Sequence, residues 1–213
     1  MKDTYRIFVE GIADKRFIEQ LLESVFSQNI PSDNIIKTDG YTNLTATNKE
    51  QTFINEMLRT TDDGGINLVI FDADSNCERR RTELLDWKRR SKVDFELFLL
   101  PDNANSGELE DLLMQTINPV NQPVMECWNK YEESLKGVSL PWKGTLTLPA
   151  KKTRIYAYLE ALLGPSRSEK EMIKEAKRDY KNENHWNLKA QALSNLIDFL
   201  KKNLSSINQD IQV

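Results

Sequence analysis

The sequence predicts an α/β protein in which a mainly parallel, four-stranded sheet is flanked by helices and followed by a mostly helical C-terminal elaboration. Strand-like and helix-like segments alternate through the first hundred residues, as they do in parallel β-α-β units. The third strand-like segment, residues 66–71, is a near-continuous apolar run, which is typical of a central strand covered on both faces. After Gly107 the apolar residues recur at helical spacing.

Short runs of β-branched and aromatic residues predict the strands, which are residues 5–9, 35–38, 66–71 and 95–101. Apolar residues at helical spacing predict the intervening helices, which are residues 14–26, a segment around 53–58, and residues 78–90. Glu10-Gly11 and Asp39-Gly40 stop the first two strands, because glycine and aspartate favour turns.

The second half predicts helices at residues 108–117, 124–135, 153–163, 169–181 and 187–203. Residues 137–149 contain Gly and Pro and interrupt this pattern, and residues 145–148 fit a short strand. We therefore expect an α/β core over residues 1–117 and a mainly helical extension over residues 118–213, packed together as one compact unit.

Composition narrows the class of protein. The chain has 213 residues, of which 39% are hydrophobic and 29% charged, so it can bury a full core. No apolar run reaches the length of a membrane span, the N-terminus lacks the apolar core of a signal peptide, and the two cysteines form no CxxC pair. We expect a cytoplasmic protein without a membrane partner.

Charge is distributed unevenly along the chain. The formal net charge of −4 argues against a protein that coats nucleic acid by bulk electrostatics. Residues 79–92, however, carry seven Lys and Arg against two acids. This local excess of positive charge begins just after the acidic residues Asp72 and Asp74.

Acidic residues follow three of the predicted strands. Glu10 ends the first strand, Asp72 and Asp74 end the third, and Glu110 belongs to an acidic segment after the fourth. The carboxyl ends of parallel strands meet at one edge of a sheet, where ligands bind. Clustered carboxylates repel each other unless a cation lies between them, and such hard oxygen ligands suit Mg²⁺. A glycine at position 11 would let a phosphate approach the backbone.

These residues also carry a resemblance to a known domain. Glu10-Gly11 with Asp14 and Phe17, together with the strand that ends in Asp72-Ala73-Asp74, resembles the two motifs of the Toprim domain. That domain is shared by topoisomerases, bacterial primases, small maturation ribonucleases and the overcoming-lysogenization-defect (OLD) nucleases. The similarity covers roughly residues 5–115.

Two further segments refine the resemblance. Residues 107–112 are similar to the acidic LEDL stretch of OLD-type members. Residues 185–200 resemble the C-terminal signature of the DUF3226 proteins, a Toprim-like family to which the chain is similar over its whole length.

The Toprim resemblance implies a magnesium-dependent, nuclease-type activity that cleaves phosphodiester bonds in DNA or RNA. It implies that Glu10 is a general acid/base or a metal ligand, and that Asp72 and Asp74 hold Mg²⁺, with Mn²⁺ as a substitute. Glu110 would be a further ligand. Topoisomerase-like members often have a third acid where this chain has Asn76, which argues against tight binding of a second ion at that position.

Two groups of cationic residues are candidate contacts to phosphate. Arg79 and Arg80 begin the cationic run, and Lys151 and Lys152 form a second small cluster. The alternative interpretation of the run is a solvated helix face. Equally, Glu10 can cap the following helix, and Asp72 and Asp74 can be turn and cap residues.

Two other functions compete with cleavage. The first is a non-catalytic Toprim-like module that binds nucleic acid, a nucleotide or a partner such as a separately encoded ATPase, because the chain has no GxxxxGK[ST] loop of its own. The second is a haloacid-dehalogenase-like phosphatase, whose nucleophile strand residues 70–74 also mimic. That family expects Thr or Val at position 76 and the motif on its first strand, and both points count against it.

Overall fold

The computed structural model describes residues 5–27 and 31–204, and it has the predicted α/β architecture. Four strands form one all-parallel sheet in the order β2-β1-β3-β4. They are β1 (Tyr5–Val9), β2 (Ile35–Lys37), β3 (Ile66–Asp72) and β4 (Glu96–Leu100). The predicted parallel sheet is therefore confirmed.

Helices connect the strands, and further helices joined by loops follow the sheet. Within the sheet region they are α1 (Ile12–Phe26), α2 (Tyr41–Thr45), α3 (Glu50–Asp62) and α4 (Cys77–Ser91). After β4 they are α5 (Leu109–Thr116), α6 (Gln122–Lys136), α7 (Lys151–Leu162), α8 (Arg167–Ile173) and α9 (Ser194–Leu204). None of the helices in the described ranges is long and apolar enough to cross a lipid bilayer.

The C-terminal helices differ from the prediction. The helix predicted over residues 169–181 is wrong beyond Ile173, because the amides of Tyr180 and Lys181 donate to the Gln20 side chain instead of continuing a helix. The helix predicted from residue 187 begins only at Ser194, since the amide of Asn187 donates to Thr116. Residues 145–148 form no strand. Residues 205–213 of the predicted extension lie outside the described residues.

Both faces of the sheet are buried, as the apolar pattern of residues 66–71 predicts. Leu68 and Ile70 of β3 face a core formed mainly with α1, α5, α7 and α9. Val69 and Phe71 face a second core formed mainly with α3 and α4. Successive side chains of a strand point to opposite faces, so one apolar run supplies both cores. This burial fixes the strands and sets the positions of the residues that follow them.

The loops after β3 and β4 are joined to each other. The amide of Gly107 donates to the carbonyl of Asp74 over 2.8 Å, and these two residues form an isolated antiparallel bridge. The Leu100–Pro101 peptide bond is cis, and Arg81 of α4 donates to the carbonyl and side-chain oxygens of Asn103. The helices α1, α4 and α5 follow β1, β3 and β4, so all three begin at the carboxyl edge of the sheet.

Candidate functional site

Glu10 directly follows β1 and lies beside the end of β3. Its Oε1 accepts a hydrogen bond from the amide of Asp72 over 3.2 Å, and its Oε2 accepts one from the amide of Tyr41 over 3.3 Å. Burial raises the pKa of Glu10 from 4.5 to about 7, although the nearby Arg80 acts in the opposite direction. The alternative that Glu10 caps α1 is wrong, because Gly11 occupies the cap position.

Asp72 is the last residue of β3, and its side chain reaches the start of α5. Its Oδ1 accepts a hydrogen bond from the amide of Leu109, the first residue of that helix, over 2.9 Å. Burial raises the pKa of Asp72 strongly, and the charges of Asp14 and Glu10 raise it further. The two strands therefore bring Glu10 and Asp72 together, as the sheet topology predicts.

Asp14 also belongs to this group, although the sequence did not mark it as a functional residue. It lies in the first turn of α1, is 7% exposed, and accepts a hydrogen bond from the amide of Gly11 over 2.8 Å. Burial raises its pKa, and the charges of Glu110 and Glu175 add to the effect. An acid three residues after a helix cap, at the edge where Glu10 also lies, was the available signal.

Glu110 is the fourth carboxylate, in the first turn of α5. Burial raises its pKa and Glu108 contributes, whereas Lys152 and Arg178 lower it. Asp14 raises the pKa of Glu10, Glu110 raises that of Asp14, and all three raise that of Asp72; we call Glu10, Asp14, Asp72 and Glu110 the acidic edge.

Asp74 has a different environment from Asp72. Its side chain is 48% exposed and forms an ion pair with Arg80. The backbone of Asp74 is left-handed, with a φ of 51°, which aspartate tolerates better than most residues. Repulsion from Asp74 still helps to raise the pKa of Glu10, so Asp74 lies close to the acidic edge although its carboxylate is engaged by an arginine.

The residues predicted to contact phosphate all have partners within the protein. Arg79 pairs with Glu83, and Arg80 also lies over the ring of Tyr41, with 3.9 Å from its guanidinium carbon to the ring centroid. The amide of Gly11 is taken by Asp14, so it is not directed at a ligand.

The second predicted cation cluster is at the start of α7. Lys151 binds Asp111 over 2.7 Å, and Lys152 forms an ion pair with Glu175. Both lysines influence Glu110 electrostatically or contact its neighbours, so α7 delivers them to the side of the acidic edge. The sequence alone gave no reason to connect residues 151–152 with residues 108–111.

The acidic edge offers the type of ligand that Mg²⁺ requires. Among residues 5–27 and 31–204, no Lys, Arg or His forms an ion pair with any of its four carboxylates. In the same part of the chain, no group of three or more acidic, His or Cys side chains is arranged to hold a metal ion. Because Mg²⁺ in proteins commonly uses one or two carboxylates and keeps several waters, Asp72 with Glu10 or Glu110 fits the chemistry of the ion.

Two residues of the C-terminal segment also belong to this region. Arg178 lowers the pKa of Glu110, and Asp14 and Glu110 both influence Tyr180. Neither residue could be recognised from the sequence, because the pattern of residues 169–181 predicts an ordinary surface helix.

Comparison with known proteins identifies one family. The family model described as "Protein of unknown function (DUF3226)" matches residues 4–205. No curated protein and no solved structure matches the chain.

Proposed function

The chain belongs to the DUF3226 family, and from the geometry of its acidic edge we propose that it is a Mg²⁺-dependent phosphodiesterase of the Toprim type that cleaves nucleic acid. The observation that carries the proposal is the acidic edge itself. Four buried or half-buried carboxylates follow the strands at the carboxyl end of a parallel sheet, burial raises the pKa of each, and no cationic side chain among the described residues forms an ion pair with them. Such a group is stabilised by a bound cation.

Each residue then has a distinct role. Asp72, fixed through Leu109 to the start of α5, holds the cation together with Glu110. Asp74 joins them as a ligand when Arg80 releases it. Glu10 handles the proton, because a carboxyl group whose pKa is about 7 can both accept and donate a proton at neutral pH.

Hydrolysis adds water across a phosphodiester bond. The water oxygen bonds to phosphorus while Glu10 takes its proton, and the bond from phosphorus to the leaving oxygen breaks as that oxygen takes a proton from solvent. Glu10 then releases its proton to solvent. A divalent cation, when bound, supplies charge neutralisation on the phosphate. The arginines of α4 and the lysines at the start of α7 flank the same edge and provide positive charge for the nucleic-acid backbone.

Calorimetric titration of EDTA-treated protein with Mg²⁺ and Mn²⁺ tests the metal site. Cleavage of single- and double-stranded DNA and RNA tests the activity, with Asp72→Asn as the inactivating variant. Asp86→Asn is the matched control, because Asp86 is a surface acid on α4 that pairs only with Arg89 among the described residues. We expect binding and cleavage in the protein and in Asp86→Asn, and neither in Asp72→Asn. Absence of binding at millimolar cation would refute the proposal.

A non-catalytic binding module is the second candidate. Two observations favour it: Arg80 engages Asp74, and Asp72 and Glu10 already accept backbone hydrogen bonds. Cation binding without cleavage of any of the four nucleic acids would select this function, with a nucleic acid, a nucleotide or a separately encoded ATPase as the partner.

A further inference from the structure

Arg178 is a buried guanidinium whose terminal nitrogens lack partners. The residue is 1% exposed, and neither Nη1 nor Nη2 has a hydrogen-bond partner in the described part of the chain. Only Nε is bonded, to the carbonyl of Ile173 over 3.0 Å, and the guanidinium carbon lies 4.7 Å from the centroid of the Tyr156 ring. Buried charged donors are normally paired, so these nitrogens are suited to an acceptor that the chain itself does not supply.

Tyr180 supplies a second unpaired donor close by. Its ring is fully buried against Phe17 and Trp186, and its hydroxyl has no hydrogen-bond partner among the described residues. Burial raises the pKa of Tyr180 to about 12. The charge of Arg178 and the approach of its guanidinium to the hydroxyl, which does not have the geometry of a hydrogen bond, oppose this effect, and Asp14 supports it. The hydroxyl therefore remains protonated, and available as a donor, at physiological pH.

The terminal nitrogens of Arg178 and the hydroxyl of Tyr180 take no part in anchoring their segment. The segment is held through its backbone, because Gln20 of α1 donates to the carbonyl of Arg178 over 2.8 Å and accepts from the amide of Tyr180 over 2.6 Å. Arg16 donates to the same carbonyl over 3.0 Å. The guanidinium and the hydroxyl are thus held in place by contacts that do not use their own terminal atoms.

The acids nearby do not neutralise Arg178 directly. Glu175, three residues earlier, pairs with Lys152 instead. Asp14 accepts from Gly11, and Glu110 makes no ion pair within residues 5–27 and 31–204. Tyr180 packs against Phe17, three residues after Asp14 on α1, and Arg178 and Tyr180 both interact electrostatically with Glu110, so the unpaired donors lie near carboxylates that form no ion pair within the described residues.

We propose that Arg178 and Tyr180 form an oxyanion receptor, in which the terminal nitrogens of Arg178 and the hydroxyl of Tyr180 donate to a non-bridging oxygen of a phosphate group held at the acidic edge. This inference rests on the proposed function and deepens it, since it assigns the groups that bind the negative charge of the scissile phosphate. Preorganised donors of this kind stabilise the charge that develops during phosphoryl transfer. Arg178 is also suited to the task because guanidinium binds phosphate oxygens in a planar, paired geometry.

A phosphate can reach these buried donors only when neighbouring side chains move apart. The candidate for this movement is the ion pair between Lys152 and Glu175, with the Lys152 side chain 54% exposed and that of Glu175 14% exposed. Lys152 lowers the pKa of Glu110, and Glu175 raises the pKa of Asp14. The ion pair therefore lies near both of these acids. The proposal places the entry of phosphate at this pair, which is nearer to solvent than the two donors.

Three variants test the receptor: Arg178→Lys, Arg178→Met and Tyr180→Phe. The readouts are hydrolysis of bis(4-nitrophenyl) phosphate with Mn²⁺, calorimetric Mn²⁺ affinity, and the melting temperature. Asn67→Ala is the structural control, because it removes buried hydrogen bonds to the carbonyls of Met57 and Asp94 and leaves Arg178, Tyr180 and their backbone anchor intact. Arg178→Lys keeps the charge but loses the planar pair of donors.

The expected result is a loss of turnover without a loss of stability. We expect kcat to fall about 100-fold in Arg178→Met and about 10-fold in Arg178→Lys and Tyr180→Phe, with Mn²⁺ affinity unchanged to within about two-fold. We expect Tyr180→Phe to melt at the same temperature or higher, since it removes a buried hydroxyl without a partner. A residue with a purely structural role would instead lower the melting temperature and leave kcat in step with the folded fraction, as we expect for Asn67→Ala.

Two results overturn the receptor. One is turnover within two-fold of the unaltered protein in Tyr180→Phe and Arg178→Lys. The other is a joint loss of Mn²⁺ affinity and turnover, which would mean that the two residues organise the carboxylates and do not bind phosphate. If Arg178→Met does not fold, Tyr180→Phe and Arg178→Lys still decide the question.

A failure of the proposed function is distinguishable from a failure of the receptor. If the unaltered protein binds no Mn²⁺ and cleaves nothing, the phosphodiesterase assignment fails. Inorganic phosphate, titrated calorimetrically without cation, then tests the receptor alone. If the unaltered protein binds phosphate, and this binding is lost in Arg178→Met and weakened in Tyr180→Phe, Arg178 and Tyr180 still form an oxyanion site. If the unaltered protein binds no phosphate, the receptor is rejected.

Discussion

The carboxylate of Glu10 accepts a hydrogen bond from the backbone amide of Asp72 over 3.2 Å, so the exits of β1 and β3 are joined directly. This contact places a carboxyl group whose pKa is about 7 next to a second carboxyl group whose pKa is also raised. The amide that links them belongs to the backbone and carries no charge to neutralise either group. This relationship bears on the binding of a cation and on how the stability of the protein changes with pH.

Asp72 and Asp74 are expected to differ in importance. Asp72→Asn should abolish detectable Mg²⁺ binding, because it removes a buried carboxylate from the acidic edge, yet it keeps an oxygen that can accept from Leu109. Asp74→Asn should weaken binding by about ten-fold or less, since Arg80 already engages that exposed carboxylate. Calorimetry on both variants gives the comparison, and equal losses would show that Asp74 is as central as Asp72.

The cation-free protein should become less stable as the pH rises. Burial raises the pKa of Glu10 from 4.5 to about 7, so the folded state binds a proton more tightly than the unfolded state. Its stabilising contribution is complete below about pH 4.5 and is lost as the pH rises through 7. For Glu10 this amounts to about 2 kcal/mol of unfolding free energy after allowance for its partial exposure.

Urea unfolding in EDTA at pH 5 and pH 7.5 measures this effect. Glu10→Gln should show a smaller decrease between the two pH values, because the neutral amide does not titrate. Mg²⁺ should restore stability at pH 7.5 in the unaltered protein, in proportion to its binding. An unfolding free energy that increases over this range would contradict the assignment of the raised pKa to Glu10.

Gly107 should not tolerate a side chain. Its φ is +149°, and a Cβ there would lie 2.7 Å from the Asp111 carboxylate and 2.9 Å from the Pro101 ring. Gly107→Ala should therefore cost about 2 kcal/mol or more of unfolding free energy and displace the start of α5. Gly144→Ala is the control, because a Cβ at that position meets no atom within 4 Å, and it should change stability by less than about 0.5 kcal/mol. Similar values for the two variants would reject this account of the loop.

Gln20 should be among the more sensitive polar residues of α1. It is 1% exposed and bonds the backbone of residues 178, 180 and 181 through both ends of its amide. Gln20→Ala leaves these buried backbone groups unpaired, at a cost of about 2–4 kcal/mol of unfolding free energy. Hydrogen exchange should show faster exchange at the amides of Tyr180 and Lys181. Unchanged exchange at those two amides would mean that the segment is held by other contacts.

The sheet and part of the site could be predicted because their signals are local. The apolar pattern of residues 66–71 identifies a central strand, and the topology of parallel strands brings Glu10 and Asp72 to one edge. The pattern does not determine which way Asp74 points. The direction of the Asp74 side chain depends on the left-handed backbone of that residue and on the position of Arg80, six residues later. Both are visible only in the folded structure.

Residues from the C-terminal half were missed for a different reason. Arg178 and Tyr180 fit a helical pattern, but their backbone is captured by Gln20, which lies about 160 residues earlier. A single-sequence pattern contains no information about such long-range hydrogen bonds, because helix propensity is weak compared with tertiary contacts. The same limit applies to Lys151 and Lys152, whose contact with the acidic edge depends on the packing of α7 against α5.

The bridge between Asp74 and Gly107 has a consequence for how this region tolerates change in length. On one side of residues 104 and 105 the chain is fixed by Asn103, which bonds Arg81, and on the other by Gly107 and by the bond from Leu109 to Asp72. Both residues are exposed, and they lie between two independently secured points. Insertions or tags placed there would break the hydrogen bonds from the amides of both residues to Asp102 but should leave the carboxylates of the acidic edge undisturbed, which makes this tip a suitable position for a fluorescent reporter.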